Sequence, residues 1–291
     1  MRRILVIGGS GQLGSALTTA LPGRDFEAIA VSRPDLDLEA PATIAAACAA
    51  ARPDAVVNCA AWTAVDAAED HEDAAFRANA LGPALIAAQC AAAGIPLIQV
   101  STDYVFDGRK GAPYLETDAP NPIGAYGRTK LAGEWAALAG NPRTLVLRTA
   151  WVFAPAGSNF LRTMLRLGAE RPVLRVVADQ QGSPTAAPDL ADAIAAMLAR
   201  IRRDGWQDAH RGIFHATGSG FTTWHGFAEA IFAASKVHPE VQPIATTDYP
   251  TRAARPADGR LDCGQLAATF GVRLPPWQEG LMRVMQGLAP I

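Results

Sequence analysis

An α/β fold is what the sequence predicts: a doubly wound parallel sheet carrying a smaller mixed α/β lobe. Three observations lead to it. Short apolar runs alternate with helical stretches through the first half of the chain, a pattern that implies right-handed crossovers and a sheet covered on both faces. A glycine turn follows the first apolar run at once and opens a helix. The second half loses the alternation but holds a good helix over 189–202, which is expected to return to the main sheet.

Taken in order, Ile4 to Ile7 reads as a buried strand and Ser15 to Leu21 as a helix. Between them Gly8, Gly11 and Gly14 are spaced G-x-x-G-x-x-G. One glycine allows a tight bend, one lets backbone N–H groups approach a pyrophosphate, and one lets the helix pack closely on the strand. The helix N-terminus adds free N–H groups and a positive dipole end. The triplet alone is weak evidence. Its place after a strand and before a helix makes it a Rossmann-type dinucleotide turn.

Further strands are expected over 26–31, 55–59, 96–100 and 144–148, and helices over 43–51, 72–93 and 124–138. Residues 107–122, rich in Gly, Pro and acids, read as an irregular loop. Beyond 150 the expected helices are 159–167, 189–202, 223–234 and 277–286. Thr222 or Thr223 is the N-cap of the third. Short strands are expected over 174–177, 212–216 and 242–246, with a Pro/Arg-rich loop over 247–260. The resulting partition is a Rossmann domain of residues 1–150 plus about 181–202, and a substrate lobe of about 151–180 and 203–291.

Across its 291 residues the chain is 49% hydrophobic and 19% charged, with a net charge of −2. That suits a globular protein with a sizeable core and gives no electrostatic reason to expect a nucleic-acid partner. The four cysteines form no C-x-x-C pair, so a reducing compartment and no zinc or other metal site are expected. No apolar run reaches the ~18–20 residues of a membrane span. A cytoplasmic protein with no membrane partner is the expectation.

Ligands bind such sheets at the carboxyl ends of the strands, and the chemistry-bearing motifs fall there. An acidic residue ending the second strand would bind the adenine ribose hydroxyls, whereas an arginine would pair with a 2′-phosphate. Ser32-Arg33 stand at that point and favour NADPH, with NADH left open. Asp37 and Leu38 are placed against the adenine. Small residues in Asn58-Cys59-Ala60-Ala61-Trp62 let a dinucleotide pass close to the backbone, although tight strand-to-loop packing would need the same residues.

Tyr126 and Lys130, at i and i+4, share one helix face. With four tyrosines and three lysines in the chain, such a pair arises by chance roughly 4% of the time under that spacing. A phenol, with a pKa near ~10, is a poor proton donor-acceptor at neutral pH. A lysine cation nearby is expected to lower that pKa. Tyr126 could then protonate a carbonyl oxygen as hydride reaches carbon. Ser101 or Thr102, after the fourth strand, would sit beside the phenol, and the alternation of side chains favours Thr102. Asp103 either binds a sugar hydroxyl or caps the loop.

These residues resemble the extended short-chain dehydrogenase/reductase superfamily, in its branch of dTDP-deoxysugar reductases. The glycine turn, NCAAWTAVD (58–66), STDYVFDG (101–108), YGRTKLAGE (126–134), RTAWVF (148–153), NFLRTM (159–164), DQQGSPT (179–185), Arg255-Pro256 and Arg260-Leu261 carry the resemblance over nearly the whole chain. It implies an NADPH-dependent reduction of the 4-keto group of dTDP-6-deoxy-L-lyxo-4-hexulose, giving dTDP-β-L-rhamnose. Thr102, Tyr126 and Lys130 would be the catalytic trio. Gln12, Leu13, Asp37, Leu38, Ala60, Ala61, Trp62, Val100, Tyr126 and Lys130 would line the cofactor. Thr102, Asp103, Tyr126 and Trp151 would contact the sugar, Trp151 being otherwise a core residue. Arg255 and Arg260 would reach the diphosphate, or else form surface salt bridges. Two departures stand out. Trp62 replaces a frequent histidine. Ala16 and Pro188 stand where some members carry glutamates that link dimers through Mg²⁺, so a monomer or a homodimer without that metal link is expected. Two alternatives are an enzyme acting on another nucleotide sugar by reduction or epimerisation, and a non-catalytic NADP-binding subunit. The intact trio argues against the second.

Overall fold

The computed structural model describes residues 1–288. Residues 289–291, the end of the expected lobe, lie outside the described residues.

The chain begins with β1 (Arg3–Ile7), α1 (Gln12–Ala20), β2 (Glu27–Val31), α2 (Pro41–Ala51) and β3 (Ala55–Asn58). A helical region follows in pieces: α3 (Val65–Asp70), α4 (Glu72–Phe76), a π-helical turn (Arg77–Leu81) and α5 (Gly82–Ala93). Then come β4 (Leu97–Thr102), α6 (Ala125–Gly140) and β5 (Thr144–Thr149). Later elements are β6 (Val152–Phe153), α7 (Phe160–Glu170), β7 (Val173–Val177), β8 (Gln181–Gly182), β9 (Thr185–Ala186) and α8 (Ala187–Asp204). The last are β10 (Gly212–His215), β11 (Thr222–Thr223), α9 (Trp224–Ala233), β12 (Glu240–Ile244), α10 (Gly264–Phe270) and α11 (Trp277–Gln286).

Six parallel strands make the main sheet in the order β10-β5-β4-β3-β1-β2. Both faces are covered, so the central strands are continuous apolar runs; all of Ile4 to Ile7 is buried. On one face α1, α8 and α10 cover the sheet, and Leu13, Leu17, Leu190, Ile194, Leu198 and Phe270 join one core. Helix α8 shows the local logic. Leu190, Ile194, Met197, Leu198 and Ile201 recur at helical spacing and are buried, while Arg202 and Arg203 end the helix at the negative pole of its dipole. Each such aliphatic side chain contributes about 1.5–3 kcal/mol on burial. On the other face α2 and α5 pack through Ile44, Ile86 and Cys90.

The lobe has its own core, in which Phe153, Leu161, Met164, Leu174, Phe227 and Trp277 meet. Three short strand pairs build it: β7 with β12, β8 with β11, and β6 with β9. Two parts of the sequence partition change. Residues 181–186, expected in the Rossmann domain, form β8 and β9 and pair with β11 and β6 of the lobe. Residues 212–215, expected in the lobe, form β10 and pair with β5 at the edge of the main sheet. Helix α8 lies back on that sheet, so the strand after it completes a crossover, and α10 then packs on the same face through Leu266 and Phe270. The loop over 107–122 is irregular but tied down. Tyr114 stacks on Phe106 at 4.1 Å, and its hydroxyl donates to Asp107 at 2.8 Å.

Candidate active site

The glycine turn is shaped by what surrounds it. Gly8 has φ +83°, and a Cβ there would lie 2.9 Å from the Ala60 amide nitrogen. A Cβ on Gly14 would lie 2.7 Å from the Gly8 carbonyl carbon, so α1 can seat this close to the turn only with glycine. A Cβ on Gly11 would meet only the Gly8 carbonyl within 4 Å. Gly11 caps α1 without a side-chain bond, and the first turn of the helix carries no acid. Free N–H groups therefore face an uncrowded cradle, which fits a pyrophosphate.

The other expected cofactor residues divide into two kinds. Gln12 reaches the lobe, its Oε1 accepting from Asn159 Nδ2 at 2.9 Å. Ser32 ends β2, where its Oγ accepts from the Ser10 amide at 2.9 Å, and Arg33 follows it at the surface. Ala60 and Ala61 follow β3, and Val100 lies within β4 near its carboxyl end; all three residues are partly exposed. Leu13 and Leu38 differ: both side chains are buried in the helix–sheet cores, so only their backbones can face a nucleotide. Asp37 uses its carboxylate on the Glu39 amide. Trp62 is fixed by a residue not singled out in the sequence. Buried Asn79, in the π-helical turn, accepts from the Trp62 amide at 2.8 Å and donates to the Trp62 carbonyl and to Thr129 Oγ1 on α6, both at 3.1 Å.

Thr102, Tyr126 and Lys130 converge at the carboxyl end of β4. Thr102 Oγ1 donates to Asp103 Oδ1 at 3.0 Å, and its hydroxyl is near enough to the Tyr126 phenol to draw that phenol's pKa down. Ser101 faces the opposite way, onto Glu134, as strand alternation requires. Lys130 is buried and donates to the Val100 carbonyl at 2.7 Å. Burial pushes its pKa down to about 8, with Glu134 and then Cys59 pulling it back up.

One expectation changes here. The Tyr126 phenol stands above its ordinary value, raised first by burial; the Thr102 hydroxyl draws it back, and Asp103 and Tyr104 raise it further. Lys130 is not among the groups that offset this. A raised phenol stays protonated at neutral pH, which suits a proton donor. Asp103, 3% exposed, is pushed up to about 7 by burial, against the Thr102 hydroxyl and backbone N–H groups that lower it. Gly259 backs this carboxyl: a Cβ there would run into it.

Trp151 adopts φ +48°, uncommon for a bulky side chain. Its indole stacks on Trp224 with centroids 3.5 Å apart and 8° between planes, and Gly182 lies against it. It is partly exposed, not a closed core tryptophan. Arg255 and Arg260 are both engaged. Arg255 forks onto Asp66 at 3.1 and 2.7 Å, and Arg260 onto Asp258 at 2.8 and 2.7 Å while lying over the exposed Phe221 ring. Each keeps a guanidinium at the lobe's inner loop.

The profile of the RmlD substrate binding domain family matches residues 1–289. The dTDP-4-dehydrorhamnose reductase of Sinorhizobium fredii is 42% identical, with 98% of this chain and 97% of that protein covered. That of Escherichia coli is 40% identical over 98% and 97%.

The chain belongs to the dTDP-4-dehydrorhamnose reductase family.

Solved structures agree with that membership. A dTDP-4-dehydrorhamnose reductase from Clostridium acetobutylicum superposes with a TM-score of 0.91 at 38% identity, covering 98% of each chain. One from Bacillus anthracis, in complex with NADP, also scores 0.91 at 33% identity, covering 99% of this chain and 100% of that one. A Thermus thermophilus UDP-glucose 4-epimerase, 23% identical with a TM-score of 0.78, shares the fold. Within this family fold, α3 ties the lobe to α6. Asp66 and Asp70 hold Arg255 and Arg252 of the lobe loop, and Glu69 accepts from the Ala125 amide at 2.8 Å, beside Tyr126. None of these contacts was marked in the sequence, because α3 is a six-residue helix with no apolar repeat.

Proposed function

We propose that this chain is an NADPH-dependent dTDP-4-dehydrorhamnose reductase, reducing the C4 keto group of dTDP-4-dehydro-β-L-rhamnose to give dTDP-β-L-rhamnose. The observation that carries it is that Thr102 at the end of β4 neighbours Tyr126 while Lys130, on the same helix face, reaches Val100 of β4, in a chain whose relatives are so named over nearly their full length. NADPH, when bound, supplies the hydride. Thr102 hydrogen-bonds the keto oxygen, and Tyr126 gives it a proton, a contribution of typically ~10²–10⁴-fold. Lys130, on the face shared with Tyr126, holds the nicotinamide ribose.

Gly8, Gly11 and Gly14 with the backbone of Gln12 and Leu13 cradle the pyrophosphate. Ser32 and Arg33 select the 2′-phosphate. Asp37 and the Leu38 backbone border the adenine, and Ala60, Ala61, Trp62 and Val100 border the rest. Asp103 and Trp151 hold the deoxysugar. Arg255 and Arg260 share their guanidinium forks with the diphosphate, a geometry that suits phosphate as well as carboxylate. The protein acts as a monomer or as a homodimer not linked by metal. Among the described residues no helix is long and apolar enough to cross a membrane.

The test is incubation of the full chain with the 4-keto nucleotide sugar and NADPH, following NADPH absorbance and product. Conversion to the dTDP-rhamnose supports the proposal; no NADPH consumption with that substrate defeats it.

A further inference from the structure

Three segments of the chain meet where α6 begins. Gly124, at the N-cap of α6, offers no side-chain cap, and the first turn holds no acid. Ala125, the first helical residue, is 0% exposed. Its amide cannot turn to water, and a buried donor without a partner is costly. The partner comes from α3: Glu69 Oε1 accepts from the Ala125 amide at 2.8 Å. A carboxylate there also meets the positive pole of the helix dipole. Space for it depends on residue 124, where a Cβ would lie 2.8 Å from Glu69 Oε1 and 3.6 Å from the Ala254 carbonyl oxygen of the lobe loop. Ala68, next to Glu69, packs with Ala125 in a small buried cluster, and Tyr126 lies against it.

The other side of α3 is fastened to the lobe. Asp66 and Asp70, at i and i+4, share a face. The Ala253 amide donates to Asp66 at 3.0 Å and Arg255 Nη2 at 2.7 Å, while Arg252 Nη2 donates to Asp70 at 2.6 Å. A serine or aspartate at position 124 would cap α6 whatever the lobe did. Here the cap is delivered by a helix that the lobe loop holds, and the residue after the capped amide is Tyr126. We propose that Glu69 is a positioning residue for the Tyr126 phenol: it sets the first turn of α6 from outside the helix, and α3 holds that setting against the loop over 252–255. The proposal rests on the role given to Tyr126 above.

Two other contacts reach this turn. Arg128 pairs with Glu72 of α4, but both side chains are about half exposed, where such pairs hold little. Tyr104 meets Tyr126 edge-on with centroids 5.5 Å apart, a contact to the ring and not to the backbone that aims it.

Three variants of the full chain test it. Glu69→Ala removes the cap. Gly124→Ala keeps Glu69 and α3 but drives the flexible carboxylate off the amide with one methyl group, at a residue whose φ of −132° suits alanine. Glu69→Gln keeps an acceptor oxygen on the same arm. Two readouts need neither substrate nor NADPH: hydrogen exchange at the Ala125 amide, and ¹³C-tyrosine labelling, which gives four ring signals, from Tyr104, Tyr114, Tyr126 and Tyr249. In both alanine variants the Ala125 amide is expected to exchange faster and the Tyr126 signal to move, with Tyr114 and Tyr249 in place. With the 4-keto nucleotide sugar and NADPH, kcat falls by about 10- to 100-fold, the loss that a misplacement of about 1 Å brings. The solvent deuterium isotope effect on kcat rises, because proton transfer from Tyr126 becomes the slower step. Glu69→Gln recovers most of these changes. Folded alanine variants with native exchange at Ala125, an unmoved Tyr126 signal or native kcat overturn the proposal, since a merely structural cap would leave the ring signal and the isotope effect alone. A native chain that consumes no NADPH defeats the assigned reaction, while exchange and the ring signal still decide whether Glu69 sets Tyr126.

Discussion

Trp151 offers the sharpest test of the sugar pocket, through a residue that touches no substrate. In Gly182→Ala the new Cβ would stand 2.6 Å from Trp151 Nε1 and 2.7 Å from Cζ2, where ordinary contact begins at 3.4 Å. Cε2 of the indole lies nearer still, so the ring must move by about 1 Å. It cannot move toward Trp224, whose ring already lies at stacking distance. Overpacking of this kind costs about 1–3 kcal/mol of stability. A plate displaced by nearly 1 Å beside the reacting sugar costs up to ~10²-fold in rate. The assay is steady-state NADPH oxidation against nucleotide-sugar concentration, with NADPH affinity measured separately by fluorescence. The expected result is kcat/KM for the sugar down by about 10- to 100-fold, with NADPH affinity unchanged because the glycine cradle is not in contact with Gly182. A folded Gly182→Ala protein with native kcat/KM would refute Trp151 as a sugar plate.

Four further outcomes follow from the same geometry. Tyr126→Phe should lower kcat by ~10²–10⁴-fold while NADPH still binds, as judged by isothermal calorimetry; near-native turnover would remove Tyr126 as the acid. Arg33→Ala should raise KM for NADPH more than for NADH, and equal effects on both coenzymes would end the 2′-phosphate role. Asp103 holds its proton in the folded chain up to about 7 but releases it near 3.8 when unfolded. The native state therefore binds more protons between those values, and this group's contribution to stability falls as pH rises through that window. Asp103→Asn should flatten that decline in urea melts at stepped pH. Ile194→Ala, deep in the α8 contact with the sheet, should cost about 2–5 kcal/mol in denaturant unfolding without altering KM.

Much of the fold is legible in the sequence because burial on both faces writes the central strands as apolar runs, and because glycine, proline and threonine punctuate the ends. Thr223 does cap α9, accepting from the Gly226 amide. The two-residue strands β8 and β11 are too short to carry a period, and β10 reads the same whether it joins the lobe or the sheet edge. The site is legible where spacing brings groups together, as in Tyr126 and Lys130 on one helix face. It is not legible where partners come from distant segments. Glu134 and Arg148 are charged residues of the kind normally at the surface, yet they meet in the core across 14 positions. Asn79 and Thr129 meet across 50. The side chains of Leu13 and Leu38 serve the core, which a motif does not reveal.

The most direct measurement of the central claim is isotopic. The full chain is given NADPH carrying deuterium at the transferred position together with dTDP-4-dehydrorhamnose, and the product is examined by NMR. The account predicts dTDP-rhamnose with deuterium at C4 of the sugar and one NADPH consumed per product. Unconsumed NADPH, or product without the label at C4, would contradict it.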